Sequence, residues 1–183
     1  MFGRKWNLDD YRGDILLFCA LLGAREWMPS TKAVAFLRGV QRNYRRVGLA
    51  NAPDGYRALA AACIWRACCW PGHLQFVAAG STKNGKSWVR FLKTVASESV
   101  DMIREKLLFA DDDSSIMTPY SDEPVLAVLG PEHLVGFSKI RNGRPTVLAV
   151  PNVDWVPLEQ MGPLASFVSG QDDQWLVLSP SKK

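Results

Sequence analysis

A chain of 183 residues, 48% hydrophobic and 22% charged, has enough apolar material for one packed core without disulfides or a structural metal. This balance excludes a disordered chain, and no apolar run reaches the roughly 18–20 residues that a membrane-spanning helix needs. The net charge of +4 is unevenly placed: residues 1–106 carry 17 Lys and Arg against 8 Asp and Glu, and residues 107–183 carry 5 against 10.

The N-terminal segment Met1-Phe2-Gly3-Arg4-Lys5-Trp6 has no signal-peptide core, which points to a cytoplasmic protein. Asp9 and Asp10 are placed to cap a first helix running to Leu22, with Gly23 as its stop. After a turn at Trp27-Met28-Pro29, Ser30 caps a helix over Thr31–Arg42. Arg45–Asn51 reads as a strand, 51–55 as a loop, and Arg57–Trp70 as an apolar helix ended by Pro71 and Gly72. A strand over Leu74–Ala79 leads into a glycine-bearing loop at Gly80–Lys86, and a long helix follows from Ser87 to about Leu108. The acidic stretch 111–115 reads as a solvated loop. Then come strands at Val125–Leu129, Leu134–Ile140 and Thr146–Val150, a helix over Pro157–Val168, and a last strand at Trp175–Leu178. Strands alternating with long helices predict an α/β fold with a mainly parallel sheet flanked by helices. One domain spans 1–183, with helices over 1–44 and the α/β core over 45–183. Arg45–Ala50, Leu74–Ala79, Thr146–Val150 and Trp175–Leu178 are its expected central strands, as apolar runs suit strands buried on both faces.

The chemistry-bearing residues are few. Cys19, Cys63, Cys68 and Cys69 form no C-x-x-C pair and sit in apolar patterns, so they read as buried thiols. His73 and His133 are too few for a zinc site, and no G-x-S-x-G elbow is present. The expectation is no metal site and no catalytic residue.

The string Gly80-Ser81-Thr82-Lys83-Asn84-Gly85-Lys86-Ser87 matches G-x-x-x-x-G-K-[ST], between a strand and a helix. In such a loop glycines let backbone N–H groups wrap the phosphates. Gly80 and Gly85 would do that here, Lys86 would reach the terminal phosphates and Ser87 would bind Mg²⁺.

A second reading comes from residues Trp27–Ser81 and the tail. Trp27 and Pro29 lead the helix at Thr31–Arg42, followed by the strand at Arg45–Ala50, the loop Asn51-Ala52-Pro53-Asp54-Gly55-Tyr56-Arg57, an Ala-rich helix ending in Trp65, and a strand ending Gly80-Ser81-Thr82. In order and character these elements resemble the ATPase domain of large terminases, the motors that package viral DNA. The resemblance covers about 150 residues and implies a P-loop NTPase-like fold of the ASCE, terminase-like kind. It puts Gly55 and Arg57 in the nucleotide loop, Pro145–Asp154 in the Walker B strand, and Trp175–Ser181 in the strand that couples hydrolysis to motion. The departures are specific. Tyr56-Arg57 stands where the family has Lys-Thr, and Pro151-Asn152 follows Val147–Val150 where it has Asp-Glu. Neither Pro nor Asn can hold Mg²⁺ as a carboxylate or polarise water. The family's nuclease domain is absent from these 183 residues.

The preferred expectation is therefore a degenerate, non-hydrolysing terminase-like ATPase domain. It would act as a binding or structural partner in viral DNA packaging, in the host cytoplasm or with viral particles. Its partners would be DNA, an active packaging ATPase or another virion assembly protein, with oligomers allowed and no membrane. No cofactor is expected. The alternatives are an NTPase using ATP and Mg²⁺ at Gly80–Ser87, with Asp154 or Glu159 as the acid, and a basic nucleic-acid-binding module. The anion-binding candidates are Arg42, Arg45, Arg46, Lys83, Lys86, Arg90 and Lys93. Lys83, Lys86 and Arg57 are expected to converge at the carboxyl edge of the sheet, with Arg42, Arg45 and Arg46 as a separate patch.

Overall fold

The computed structural model describes residues 8–22, 27–119, 121, 123–130 and 144–179. Seven strands form one sheet: β1 (Arg46–Ala50), β2 (Leu74–Ala78), β3 (Leu108–Phe109), β4 (Ser115–Met117), β5 (Leu126–Leu129), β6 (Thr146–Val150) and β7 (Gln174–Ser179). Their spatial order is β1-β7-β6-β2-β5-β4-β3. The first five in that order pair in parallel, and β5, β4 and β3 pair antiparallel. The helices are α1 (Ile15–Cys19), α2 (Thr31–Gln41), α3 (Gly55–Cys69), α4 (Thr82–Ser97), α5 (Asp101–Arg104) and α6 (Leu158–Phe167).

Hydrophobic pattern assigns each element its depth. In β2 and β6 every residue is buried, as expected of parallel strands covered on both faces. β1 instead alternates exposed and buried residues, with Val47 and Leu49 inward. It lies at the sheet edge and is not one of the central strands, because Arg46, Gly48 and Ala50 bury no apolar side chain on its second face. The buried residues of α2, Ala33, Phe36, Leu37 and Val40, recur at the helical period. α3 is buried almost all round, from Ala58 to Ala67, and its small Ala side chains admit close neighbours on every side.

Helices α1 to α4 share one core with Val47, Leu49, Val77, Val147 and Leu176. α6 covers the other face through Leu164, against Phe76, Leu148 and Val150. The crossovers β1-α3-β2 and β2-α4-β5 run one way along the sheet and β6-α6-β7 runs back, so right-handed connections put their helices on opposite faces. The direction reverses between β2 and β6, which makes the carboxyl ends of those two strands the topological switch point.

Several expectations need correcting. The first helix does not run from Asp9 to Leu22. A 3₁₀ turn at Leu8–Tyr11 is followed by α1, which Asp14 caps by accepting from the N–H groups of Leu16 and Leu17. α3 starts at Gly55, not Arg57. α4 starts at Thr82, not Ser87, because Ser81 is extended and its hydroxyl accepts from Asn84 N–H at 3.2 Å. It ends at Ser97 rather than near Leu108, since Val100 is extended and begins α5. The acidic stretch at 111–115 is the turn of the β3–β4 hairpin, and Ser115 opens β4. The strand expected at Leu134–Ile140 lies outside the described residues. Among the described residues no helix is long and apolar enough to cross a membrane.

Candidate anion-binding surface

At the switch point the loops after β2 and β6 meet. After β6, Asn152 turns back and its side chain accepts from Asp154 N–H at 2.9 Å, closing a 3₁₀ turn at Val153–Trp155. The carbonyl of Trp155 then lies against Gly80, where a Cβ would collide with it. Gly80 has φ +71, a left-handed conformation that suits glycine. Its role is to let two loops touch. Pro151 is buried, Asp154 is exposed on the turn, and Glu159 is exposed in the first turn of α6.

From Thr82 onward the motif residues are helical. Gly85 N–H donates to Ser81 O at 3.0 Å and Asn84 Nδ2 donates to Ala79 O at 3.2 Å. Segment 82–87 is therefore the first turns of α4 and not a wrapped loop. Gly85 is buried where a Cβ would strike Val128 on β5, so the second glycine brings helix and strand together. Ser87 is exposed on α4.

Two of the four basic residues of α4 are answered by the β3–β4 turn. Lys86 Nζ pairs with Asp112 at 3.0 Å and Arg90 Nε with Asp113 at 2.7 Å. Hydrogen bonds from Ser114, then from Lys86, hold the Asp112 carboxyl down to about 2. Lys83 and Lys93 are exposed. Gly55 and Arg57 serve packing too. A Cβ on Gly55 would come within 2.7 Å of Leu178 Cδ1. The Arg57 guanidinium lies over the Trp27 ring, 5.5 Å from its centroid, and 3.8 Å from Glu98. Glu98 is the C-cap of α4. Along a helix rising about 1.5 Å per residue, it stands about 22 Å from Lys83. The expected convergence of Lys83, Lys86 and Arg57 does not form.

The loop after β1 is only four residues long, 51–54, and is tied down. Asp54 accepts from Ser30 N–H at 2.8 Å and from the Ser30 hydroxyl at 2.7 Å. Burial works against its charge, but these bonds hold its carboxyl below the ordinary value.

What remains is the other patch. Arg42 caps α2, and Arg45 and Arg46 lead into β1; all three are exposed. Arg42 donates to Tyr44 Oη at 3.4 Å. Arg45 donates to Ser169 O at 3.1 Å and Val168 O at 3.4 Å, at the carbonyl-rich end of α6. Among the described residues no carboxylate pairs with Arg42, Arg45 or Arg46. Among the described residues Lys32, at the start of α2, is likewise answered only by the carbonyl of Asn51, at 3.2 Å.

A buried network holds this patch, and the sequence reading did not find it. Arg66 is 3% exposed. Its Nη2 donates to Gln174 Oε1 at 2.9 Å, Asn43 Oδ1 at 3.0 Å and Val40 O at 3.2 Å. Gln174 Nε2 in turn donates to Tyr44 O at 2.8 Å. The turn from α2 to β1, with Asn43 at φ 56, is thus pinned from beneath by a cation. Burial lowers Arg66 to about 10, which leaves it charged at neutral pH. The one signal in the sequence was an arginine, Arg66, inside an apolar helix.

No family model matches the chain, and no curated protein matches it.

Proposed function

We propose that this chain is a non-hydrolysing α/β binding module that holds an anionic macromolecular partner at the α2–β1 surface. The setting implied by the terminase resemblance is viral DNA packaging, with DNA or another assembly protein as the partner and no need for ATP or Mg²⁺. One observation carries the reading. The two glycine-bearing segments that could cradle phosphate are used for internal packing, while Arg42, Arg45 and Arg46 stand exposed together on a pinned turn without a carboxylate partner among the described residues. Unpaired cations on a rigid surface attract polyanions, and the attraction weakens with salt.

Heparin serves as a polyanion probe without base sequence. Reversal of Arg42, Arg45 and Arg46 to Glu lowers the salt concentration needed for elution more than reversal of Lys83, Lys86 and Arg90 does. An equal or larger effect from the α4 triple variant overturns the assignment of the surface. ATP turnover of about one per second or faster, surviving purification controls and lost in Lys86→Ala, overturns the non-hydrolysing reading.

A further inference from the structure

We propose that the free edge of β1 accepts an extended acidic segment of another polypeptide as an eighth strand. This rests on the reading above and names the kind of partner.

Among the described residues β1 pairs only with β7. Trp175 N–H donates to Arg45 O at 2.9 Å and Asn51 N–H to Ser179 O at 3.0 Å. This parity turns the backbone groups of Val47 and Leu49 toward β7, and those of Arg46, Gly48 and Ala50 outward. Among the described residues the outward groups have no hydrogen-bond partner. Such a row is a template for strand addition. β1 has neither a proline nor a bulge in its register with β7 to blunt it.

Space and charge define the occupant. A groove of about 350 Å³ runs along this edge beneath α2, lined by Ala35, Phe36, Gly39 and Tyr44. It would receive every second side chain of an added strand, and apolar ones fit it. The alternate side chains would lie on the other face of the sheet beside Arg46 and Gly48, where a Cβ on Gly48 meets nothing within 4 Å. Lys32 stands at the carboxyl end of β1, and Arg42 and Arg46 at its amino end. None of the three is paired with an acid among the described residues. A second copy of this chain would set these cations against their own kind, whereas an acidic strand complements them.

The probe is a capped peptide of about eight residues alternating Glu and Val, compared with its Lys–Val counterpart and a short DNA duplex. The Glu–Val peptide binds the intact chain and slows amide exchange at Arg46, Gly48 and Ala50 by about tenfold or more. Gly48→Pro removes one outward N–H without touching the bonds to β7, and weakens binding by about tenfold or more. Gly48→Ala leaves it unchanged. Unchanged binding by Gly48→Pro, or no exchange protection at these three amides, overturns the inference; the exchange measurement on the wild-type chain decides even if the proline variant misfolds. Duplex binding that is lost in Arg45→Glu with Arg46→Glu, without peptide binding, overturns strand addition and leaves the anionic-partner reading standing. Failure of peptide, duplex and heparin together overturns both.

Discussion

The carbonyl of Trp155 occupies the space that a side chain on Gly80 would need. That contact joins the loops following β2 and β6, at the strand ends where an open α/β sheet ordinarily receives its ligand. The glycines of the phosphate-loop string are thus explained by packing, without a nucleotide.

Substitution of these glycines tests that account. Gly80→Ala places a side chain in a left-handed conformation and against a backbone carbonyl, which displaces the Val153–Trp155 turn. The expected cost is about 2–4 kcal/mol. Gly85→Ala overpacks the contact with Val128 and costs about 1–3 kcal/mol. Urea denaturation without any ligand measures both. Wild-type stability in either variant would show that the contact is not needed for folding.

Neutralising the β3–β4 turn should expose hidden charge. Asp112→Asn combined with Asp113→Asn frees Lys86 and Arg90 from their partners. The double variant is expected to bind heparin at higher salt than the wild type. Retention rising no more than for a control pair, Asp154→Asn with Glu159→Gln, would mean that only net charge matters.

Arg66 is the support of the α2–β1 turn. Arg66→Met leaves Gln174 Oε1 and Asn43 Oδ1 without their donor, and is expected to cost about 3 kcal/mol. Lys at this position restores little, because an ammonium cannot reproduce the planar fork. Full recovery by Arg66→Lys in urea denaturation would reduce the role of this residue to a simple point charge.

His73 gives the fold an acid-sensitive element. Burial, then the neighbouring Arg66 cation, pushes its imidazole down to about 4, with Arg12 acting in the same sense and Asp172 against. The neutral ring faces Arg66 Nη1 through Nδ1 at 3.2 Å. Between about pH 4 and pH 6.5 the unfolded chain binds more protons than the folded one, so stability falls as pH falls through that window. His73 is only about half withdrawn from solvent, so screening reduces the loss to about 1–2 kcal/mol. His73→Gln should flatten this part of the stability–pH curve. An unchanged slope in that variant would assign the acid sensitivity elsewhere.

Local signals were legible where side-chain pattern and backbone agree. The largely apolar runs of β2 and β6 read correctly as strands covered on both faces, and Ser30 read correctly as the cap of α2. Ser81 is an equally plain cap, but the nucleotide-loop string that contains it was read as a loop. The alternation in Arg46-Val47-Gly48-Leu49-Ala50 was present as an edge-strand pattern, yet its two apolar residues were read as a central strand.

Strand order and charge pairing were not legible, because both join residues far apart in the chain. β7 lies beside β1 although more than a hundred residues separate them. Asp112 and Asp113 reach Lys86 and Arg90 across 26 and 23 residues. Arg66 meets Gln174 across 108. Composition and periodicity set the alternation of strands and helices, since burial of apolar side chains acts through neighbours one turn or two residues away. Which cations stay unpaired, which glycines serve contacts, and which strand keeps a free edge depend on elements meeting in space. Only the folded arrangement left β1 at the margin of the sheet with its outward N–H and C=O groups and its arginines open to a partner.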